Sequence, residues 1–260
     1  APMEPLDCVI RRTGDGCEVW AGSQLQTIDQ GAIAATLGIE PSQVRLATLL
    51  GGGSFGRRAT PDADVAVEAA AVVKASGTDR PVKLVWTRED DFKNDFYRPA
   101  SLSHIQAGLD SSGNLIAWAH KIATPSIMSR VIPDFEKDGV DSWSVEGINN
   151  MDYELPNRLV ECVNVDLPIP VGFWRAVGNT FNPFAVETFI DELAAAAGKD
   201  PVDFRMRMLA KGSRPYRTLQ LLAEKSGWGG PVPAGRSRGI ALRTCFGSTA
   251  GHVAEVSVNQ

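Results

Sequence analysis

The sequence predicts an α+β protein in which helices pack on mixed sheets, and three observations carry that reading. Strand-like and helix-like stretches alternate through residues 1–90, which reads as a first α/β unit. Residues 91–260 are richer in strand-like sequence and hold helical stretches in succession, a second α+β unit, with the break near residues 80–100. The composition of the 260 residues, 43% hydrophobic and 22% charged with 25 Gly and 16 Pro, is that of a folded domain and too apolar for disorder.

Each element has its own warrant. Cys17–Ala21 reads as a strand and Thr27–Leu37 as a helix stopped by Gly38, where a positive φ is favoured. Pro41 punctuates. Val44–Leu50 is then a strand running into Gly51-Gly52-Gly53. Asp64 is expected to cap a small-residue helix, Val65–Ala75, and Pro81–Trp86 is the next strand. In the second unit His104–Gly108 and Leu115–Ala123 flank the hairpin signal Asp110-Ser111-Ser112-Gly113-Asn114. Pro133–Asn150 is polar and aperiodic, a long loop. Arg158–Val165 is a strand, and Pro183–Ala197 a helix with Phe184, Val186, Phe189, Ile190 and Leu193 on its apolar face. The next helix announces its start with Asp200 at N-cap, Pro201 at N1 and Asp203 at N3. Tyr216–Lys225 is a further helix, and Gly239–Cys245 and His252–Val258 are strands.

Composition also removes function classes. With 31 acidic against 26 basic side chains and no Lys/Arg run, the chain lacks the electrostatic footprint of a nucleic-acid binder. The longest apolar runs fall far short of the ~20 residues that span a bilayer. Cys8, Cys17, Cys162 and Cys245 show no C-x-x-C pair, so neither zinc nor an iron–sulfur centre is indicated; reduced core thiols are expected, with two disulfides as the alternative. His104, His120 and His252 show no ligand spacing. There is no initiator Met or signal-type segment, and the sequence stops inside a strand pattern at Asn259-Gln260, so a longer parent chain is expected.

Three places could carry chemistry. In Leu50-Gly51-Gly52-Gly53-Ser54-Phe55-Gly56-Arg57-Arg58, glycines let backbone N–H groups converge on a ligand oxygen, and the arginines could neutralise phosphate. The spacing matches neither the dinucleotide fingerprint nor the P-loop. Gln24, just past the preceding strand, offers an uncharged amide; strand ends of neighbouring βα units meet at one sheet edge, which would bring it towards Phe55. The turn Val171 to Asn179 holds Trp174-Arg175 ahead of a helix N-terminus. The competing reading of each is structural: a glycine turn, a surface amide, a packed Trp beside a surface Arg.

In their order and spacing these places resemble the molybdenum-cofactor-binding large subunit of the xanthine dehydrogenase/aldehyde oxidase family, in its isoquinoline 1-oxidoreductase β-subunit-like branch. The resemblance covers the chain: Ala-Pro-Met-Glu-Pro-Leu at the start, Gly-Ser-Gln at 22–24, Gly-Gly-Ser-Phe-Gly-Arg-Arg at 52–58, Ser-Ile-Met-Ser-Arg at 126–130, Phe-Trp-Arg-Ala-Val-Gly-Asn at 173–179, and Glu187 through Arg205. It implies the molybdopterin-binding type of fold and a pterin dithiolene holding molybdenum, with no direct protein ligand to the metal. The cofactor-binding residues it implies are Gln24, Gly52, Gly53, Ser54, Phe55, Gly56, Arg57, Trp174, Arg175 and Ala176. Arg130, Ala59 and Val177 fall on substrate positions. Ala59 stands where purine oxidisers carry a glutamate and Val177 where they carry a stacking aromatic, so an aldehyde or an apolar N-heterocycle such as isoquinoline is expected.

The implied reaction is hydroxylation with water as oxygen source, a glutamate acting as general base. That base belongs to a Gly-x-Gly-Glu motif absent from this sequence, so catalytic residues are expected beyond residue 260 and the chain alone is expected to be inactive. The resemblance further implies a molybdopterin cytosine dinucleotide, a separate small subunit with 2Fe–2S clusters, and the remaining half of the large subunit as partners. It leaves open a periplasmic location, reached by a twin-arginine leader, or a cytoplasmic one. The rival reading is a non-catalytic anion- or nucleotide-binding module that uses the same glycine loop.

Overall fold

A computed structural model describes residues 1–132, 135 and 139–258, and the chain divides into two compact units. The first comprises residues 1–99, 127–133 and 166–175; the second comprises 100–126, 134–165 and 176–260. The architecture is α+β, with mixed sheets in both.

The first unit is built on a four-stranded sheet. Strands β1 (Asp7–Thr13), β2 (Gly16–Ala21), β3 (Val44–Thr48) and β4 (Val82–Val85) lie in the order β3-β2-β1-β4. Strand β1 is an addition to the sequence reading. Its signal was present: Gly14-Asp15 separates two alternating runs, and Gly14 takes the positive φ of 55° that a tight hairpin needs. Helix α1 (Gln26–Leu37) links β2 to β3, which run parallel with Ala21 opposite Thr48. Both strands therefore end at the same edge. Helices α1 and α2 (Asp64–Ser76) bury Ile33, Ala34, Ala69, Ala70 and Val73 together with Cys8, Ile10, Val19 and Val44 of the sheet. At roughly 25 cal/mol per Å² of apolar area, such burial dominates the unit's stability.

Asp64 does not cap α2. The N-cap is Ala63, at φ 49°, because the carboxylate of Asp64 turns to Arg57 instead. Strand β3 also stops at Thr48 rather than Leu50, and Leu49 and Leu50 stand exposed. Helix α3 (Arg88–Asn94) was missed, although Thr87 and Asp90 form a capping box at its start. Helix α4 (Ile127–Val131) completes this unit.

In the second unit β5 (Leu102–Leu109), β6 (Leu115–Thr124) and β7 (Arg158–Asn164) form a sheet in that order, antiparallel then parallel. The Asp110 carboxylate accepts the N–H groups of Ser112 and Asn114 and shapes the hairpin. Helices α5 (Gly178–Ala196), α6 (Pro201–Met208) and α7 (Arg214–Ser226) and the hairpin β8 (Arg236–Cys245)–β9 (Ser248–Ser257) share a core with the sheet around Trp118, Ile122, Ile148, Val186, Ile190, Phe204, Leu219 and Ile240. The expected loop 133–150 lies partly outside the described residues; its described end is a run of turns that places Val145 and Ile148 in this core. The terminal pair 259–260 is also outside them.

Helix α5 begins five residues before the expected Pro183, which sits inside it. Local rules favour proline at N1. Here Asn182 donates to the carbonyls of Ser144 and Glu146, at 2.9 and 2.7 Å, and holds the early turns in place. Helix α6 starts as expected, with Asp200 accepting from the N–H groups of Val202 and Asp203. The four cysteines are free thiols, and burial pushes Cys8 up to about 12.

Candidate functional site

The parallel pairing of β2 and β3 decides where the site can form. Gln24 follows the end of β2 and the glycine loop follows the end of β3, so both emerge at one sheet edge within the first unit. The Gln24 side-chain Oε1 accepts the N–H of Gly56 at 3.2 Å. Its amide nitrogen has no protein acceptor among the described residues, so two donors remain for a ligand.

The loop owes its path to backbone conformations that glycine permits. Gly53 and Gly56 take φ of 103° and 101°. A Cβ on Gly53 would lie 2.6 Å from the Phe55 ring, and one on Gly56 would lie 2.6 Å from the carbonyl oxygen of Phe173. Phe55 itself is left-handed, φ 55°, a conformation that non-glycine residues adopt at a cost and that clusters at binding sites. The N–H groups of Gly53, Ser54 and Phe55 have no acceptor among the described residues. They remain as a cradle for ligand oxygens.

The two arginines of the loop point inward. Arg57, 2% exposed, pairs with Asp95 and, at 2.7 Å, with Asp64; its Nη1 also donates to Thr60. Arg58 pairs with Glu4 at 3.0 Å and Asp7 at 3.3 Å, and donates to the carbonyls of Pro5, Asp7 and Gly22. The idea that they face a phosphate gives way to another role: they pin the loop to the sheet and to α2, because carboxylates closer at hand neutralise them. Glu4 also accepts the N–H of Gly52.

The second turn comes to the loop within the same unit. Tyr97 pairs with Val171 in a parallel bridge, and the indole N–H of Trp174 donates to the Phe96 carbonyl at 2.8 Å. The backbone N–H of Arg175 donates to the Phe55 carbonyl at 2.9 Å, and its guanidinium lies 4.0 Å from the centre of the Phe55 ring. Arg98 donates to the carbonyls of Trp174 and Arg175 at 3.4 and 3.3 Å. Burial, then the neighbouring Arg175 charge, lowers the pKa of Arg98. Ala176 and Val177, which begin the second unit, take φ of 63° and 49°, an outlier for β-branched Val177.

Arg130 lies in the first unit too, its guanidinium 2.6 Å from Asp62 and 4.3 Å from the centre of the Phe96 ring. Ala59 closes a turn by donating its N–H to the Gly56 carbonyl. Phe96, Arg98 and Asp62 were not singled out from the sequence, because nothing in their spacing joins them to the motifs. Among the described residues no group of acidic, His or Cys side chains could hold a metal ion directly.

The family model described as the molybdopterin cofactor-binding domain matches residues 1–209. This chain belongs to that family. Its molybdopterin-binding chain is 32% identical over 269 residues to the isoquinoline 1-oxidoreductase subunit beta of Brevundimonas diminuta, covering 100% of this chain and 34% of that protein. It is 29% identical over 262 residues to a membrane-bound aldehyde dehydrogenase (pyrroloquinoline-quinone) of Gluconacetobacter polyoxogenes, covering 92% and 33%. The fold matches that of quinoline 2-oxidoreductase from Pseudomonas putida 86 with a TM-score of 0.77 at 19% identity, covering 94% of this chain and 34% of that one. The molybdopterin-binding chain thus spans about a third of the length of the curated relatives it matches.

Proposed function

We propose that this chain forms one wall of the active site of a molybdenum hydroxylase, which oxidises an aldehyde or an isoquinoline-like N-heterocycle with water as oxygen source. The observation that carries the reading is the junction of the two turns: the glycine loop presents open N–H groups, Gln24 braces it, and the Arg175 N–H closes on the Phe55 carbonyl. This surface fits an oxygen-rich, anionic pterin group, because it offers donors and no exposed carboxylate in the loop itself. The bound cofactor, in its cytosine dinucleotide form, supplies the two-electron redox chemistry. The chain's own residues bind and orient: Gln24 donates its amide, Gly53, Ser54 and Phe55 give backbone donors, Gly52 and Gly56 allow close approach, and Trp174, Arg175 and Ala176 form the facing turn. Arg57 acts from below by holding the loop.

Arg130, Ala59 and Val177 are assigned to the substrate end. The pairing of Arg130 with Asp62 supports an uncharged substrate, since the cation already has a partner. The general base, a small subunit with 2Fe–2S clusters and the rest of the large subunit complete the enzyme in this reading. The rival, a non-catalytic anion-binding module, is weakened by the inward arginines of the loop.

The test is metal and cofactor analysis of the complete protein, followed by turnover. Molybdenum near one per chain, with oxidation of isoquinoline or an aromatic aldehyde exceeding that of hypoxanthine, is the expected result. Absence of molybdenum, or the presence of pyrroloquinoline quinone in its place, would overturn it.

A further inference from the structure

We infer that the outer edge of β9 is a docking edge for a further β-strand, contributed by the remainder of the large subunit. The pairing of the β8–β9 hairpin fixes which groups that edge presents. The N–H of Leu242 donates to Glu187 at 3.3 Å and that of Thr244 to Asp152 at 2.8 Å, so these residues of β8 turn their backbone groups away from β9. Antiparallel alternation then turns outward the N–H and C=O groups of their opposite numbers Gly251 and Thr249, and likewise those of Val253 and Glu255. Among the described residues none of these outward groups has a partner.

The two edges of the hairpin differ. Carboxylates close β8. On β9 nothing does so, although with β8 it is the longest edge strand of the described sheets, 10 residues. Exposed edges in soluble proteins are blunted by proline, lysine, a bulge or an inward charge. Strand β9 reads Ser-Thr-Ala-Gly-His-Val-Ala-Glu-Val-Ser, with no proline or lysine and an unbroken register. Its single carboxylate, Glu255, is neutralised by Arg236 and Arg238, at 2.7 Å each. Such an edge is a template for strand addition.

The neighbours of β9 define what fits. A Cβ on Gly251 would lie 2.4 Å from Leu222 Cδ1, so this face of the strand rests on α7, and Val253 packs against the core of the unit. A strand added beside β9 extends that face, which calls for side chains that alternate apolar towards the core and polar outward. The source has the length to supply it: the whole of this chain matches only 34% of the isoquinoline 1-oxidoreductase subunit beta. The inference rests on the proposed function only for naming the occupant.

Hydrogen–deuterium exchange of the complete protein, resolved to single residues, reads the edge directly, with Ala250 and His252, whose N–H groups face β8, as internal references. The amides of Gly251 and Val253 are expected to exchange about a hundredfold more slowly than in an unstructured peptide, at every protein concentration. Val253→Pro removes an outward N–H and is expected to lower the urea midpoint further than Val253→Ala, which keeps it. Exchange of Gly251 and Val253 at peptide rates, or equal midpoints for the two variants, overturns the docked strand. Protection that appears only as concentration rises assigns the edge to a second copy, and protection lost on removing the small subunit assigns it to that subunit; either overturns the occupant. Molybdenum content of the same samples reports on the hydroxylase reading separately, so protected amides without molybdenum sink that reading and leave the strand in place.

Discussion

Arg175 meets Phe55 twice: its backbone N–H donates to the Phe55 carbonyl at 2.9 Å, and its guanidinium lies over the Phe55 ring with 4.0 Å to the centroid. Two loops separated by 120 positions in the chain thereby become one surface. The backbone bond sets their approach, and the cation–π contact sets which way the side chains face. A cation–π pair at an accessible position contributes about 0.5–1 kcal/mol. In a double-mutant cycle with Phe55→Leu and Arg175→Gln, unfolding of the complete protein should show a coupling of that size. A coupling near zero would mean the ring and the guanidinium do not interact in solution.

Within the glycine loop, Gly56 is the position where a single methyl group does most damage. Its φ of 101° and the 2.6 Å approach of a would-be Cβ to the Phe173 carbonyl oxygen leave no room, and a backbone atom cannot step aside as a flexible side chain can. Gly56→Ala should cost roughly 1–3 kcal/mol and lower bound molybdenum. Gly51→Ala is the control, since its Cβ would meet only Glu4 Oε1 at 3.7 Å. Elemental analysis of both purified variants checks the contrast.

The second unit depends on a buried ionic network. Arg205 is fully buried and donates to Glu187 at 3.1 Å and Asp191 at 2.6 Å, while Tyr153 donates to Glu187 at 2.7 Å. Arg205→Met leaves Glu187 buried without its cation, a loss of about 3–5 kcal/mol. Adding Glu187→Gln should recover part of that loss. Urea denaturation of the single and double variants decides it; equal destabilisation in both would disprove the coupling.

His120 makes stability depend on pH. Burial lowers its pKa from 6.5 to about 4, with Nε2 bonded to Ser103 at 2.9 Å and Nδ1 buried without a partner among the described residues. The folded state therefore binds its proton more weakly than the unfolded state does. The stability that neutral His120 permits is complete above pH 6.5 and declines as the pH falls towards 4, by on the order of 3 kcal/mol. His120→Gln should flatten that slope in unfolding measured from pH 7 to pH 4.

Much of this was legible in the residues, because the signals were local. Gly38 ends α1 at φ 74°, Asp200 and Pro201 open α6, and the Asp110 hairpin closes as its turn residues require. The motif order also marked Gln24, the glycine loop and Trp174-Arg175 as one constellation before any contact was visible. The start of α5 was not legible, since Asn182 bonds to carbonyls more than thirty positions away and overrides the proline rule.

What the sequence alone determined, then, was the class of fold and the family, both of which follow from short-range pattern and motif spacing. Only the tertiary structure decided which arginine does what. Arg57 and Arg58 read as ligand-facing from their place beside the glycines, yet Asp64, Asp95, Glu4 and Asp7 draw them inward. Arg98 carried no signal at all, yet it donates to the carbonyls of Trp174 and Arg175 and so braces the second turn. The physical reason is that a guanidinium's role is set by whichever acceptor folding brings within reach, and that neighbour is distant in sequence.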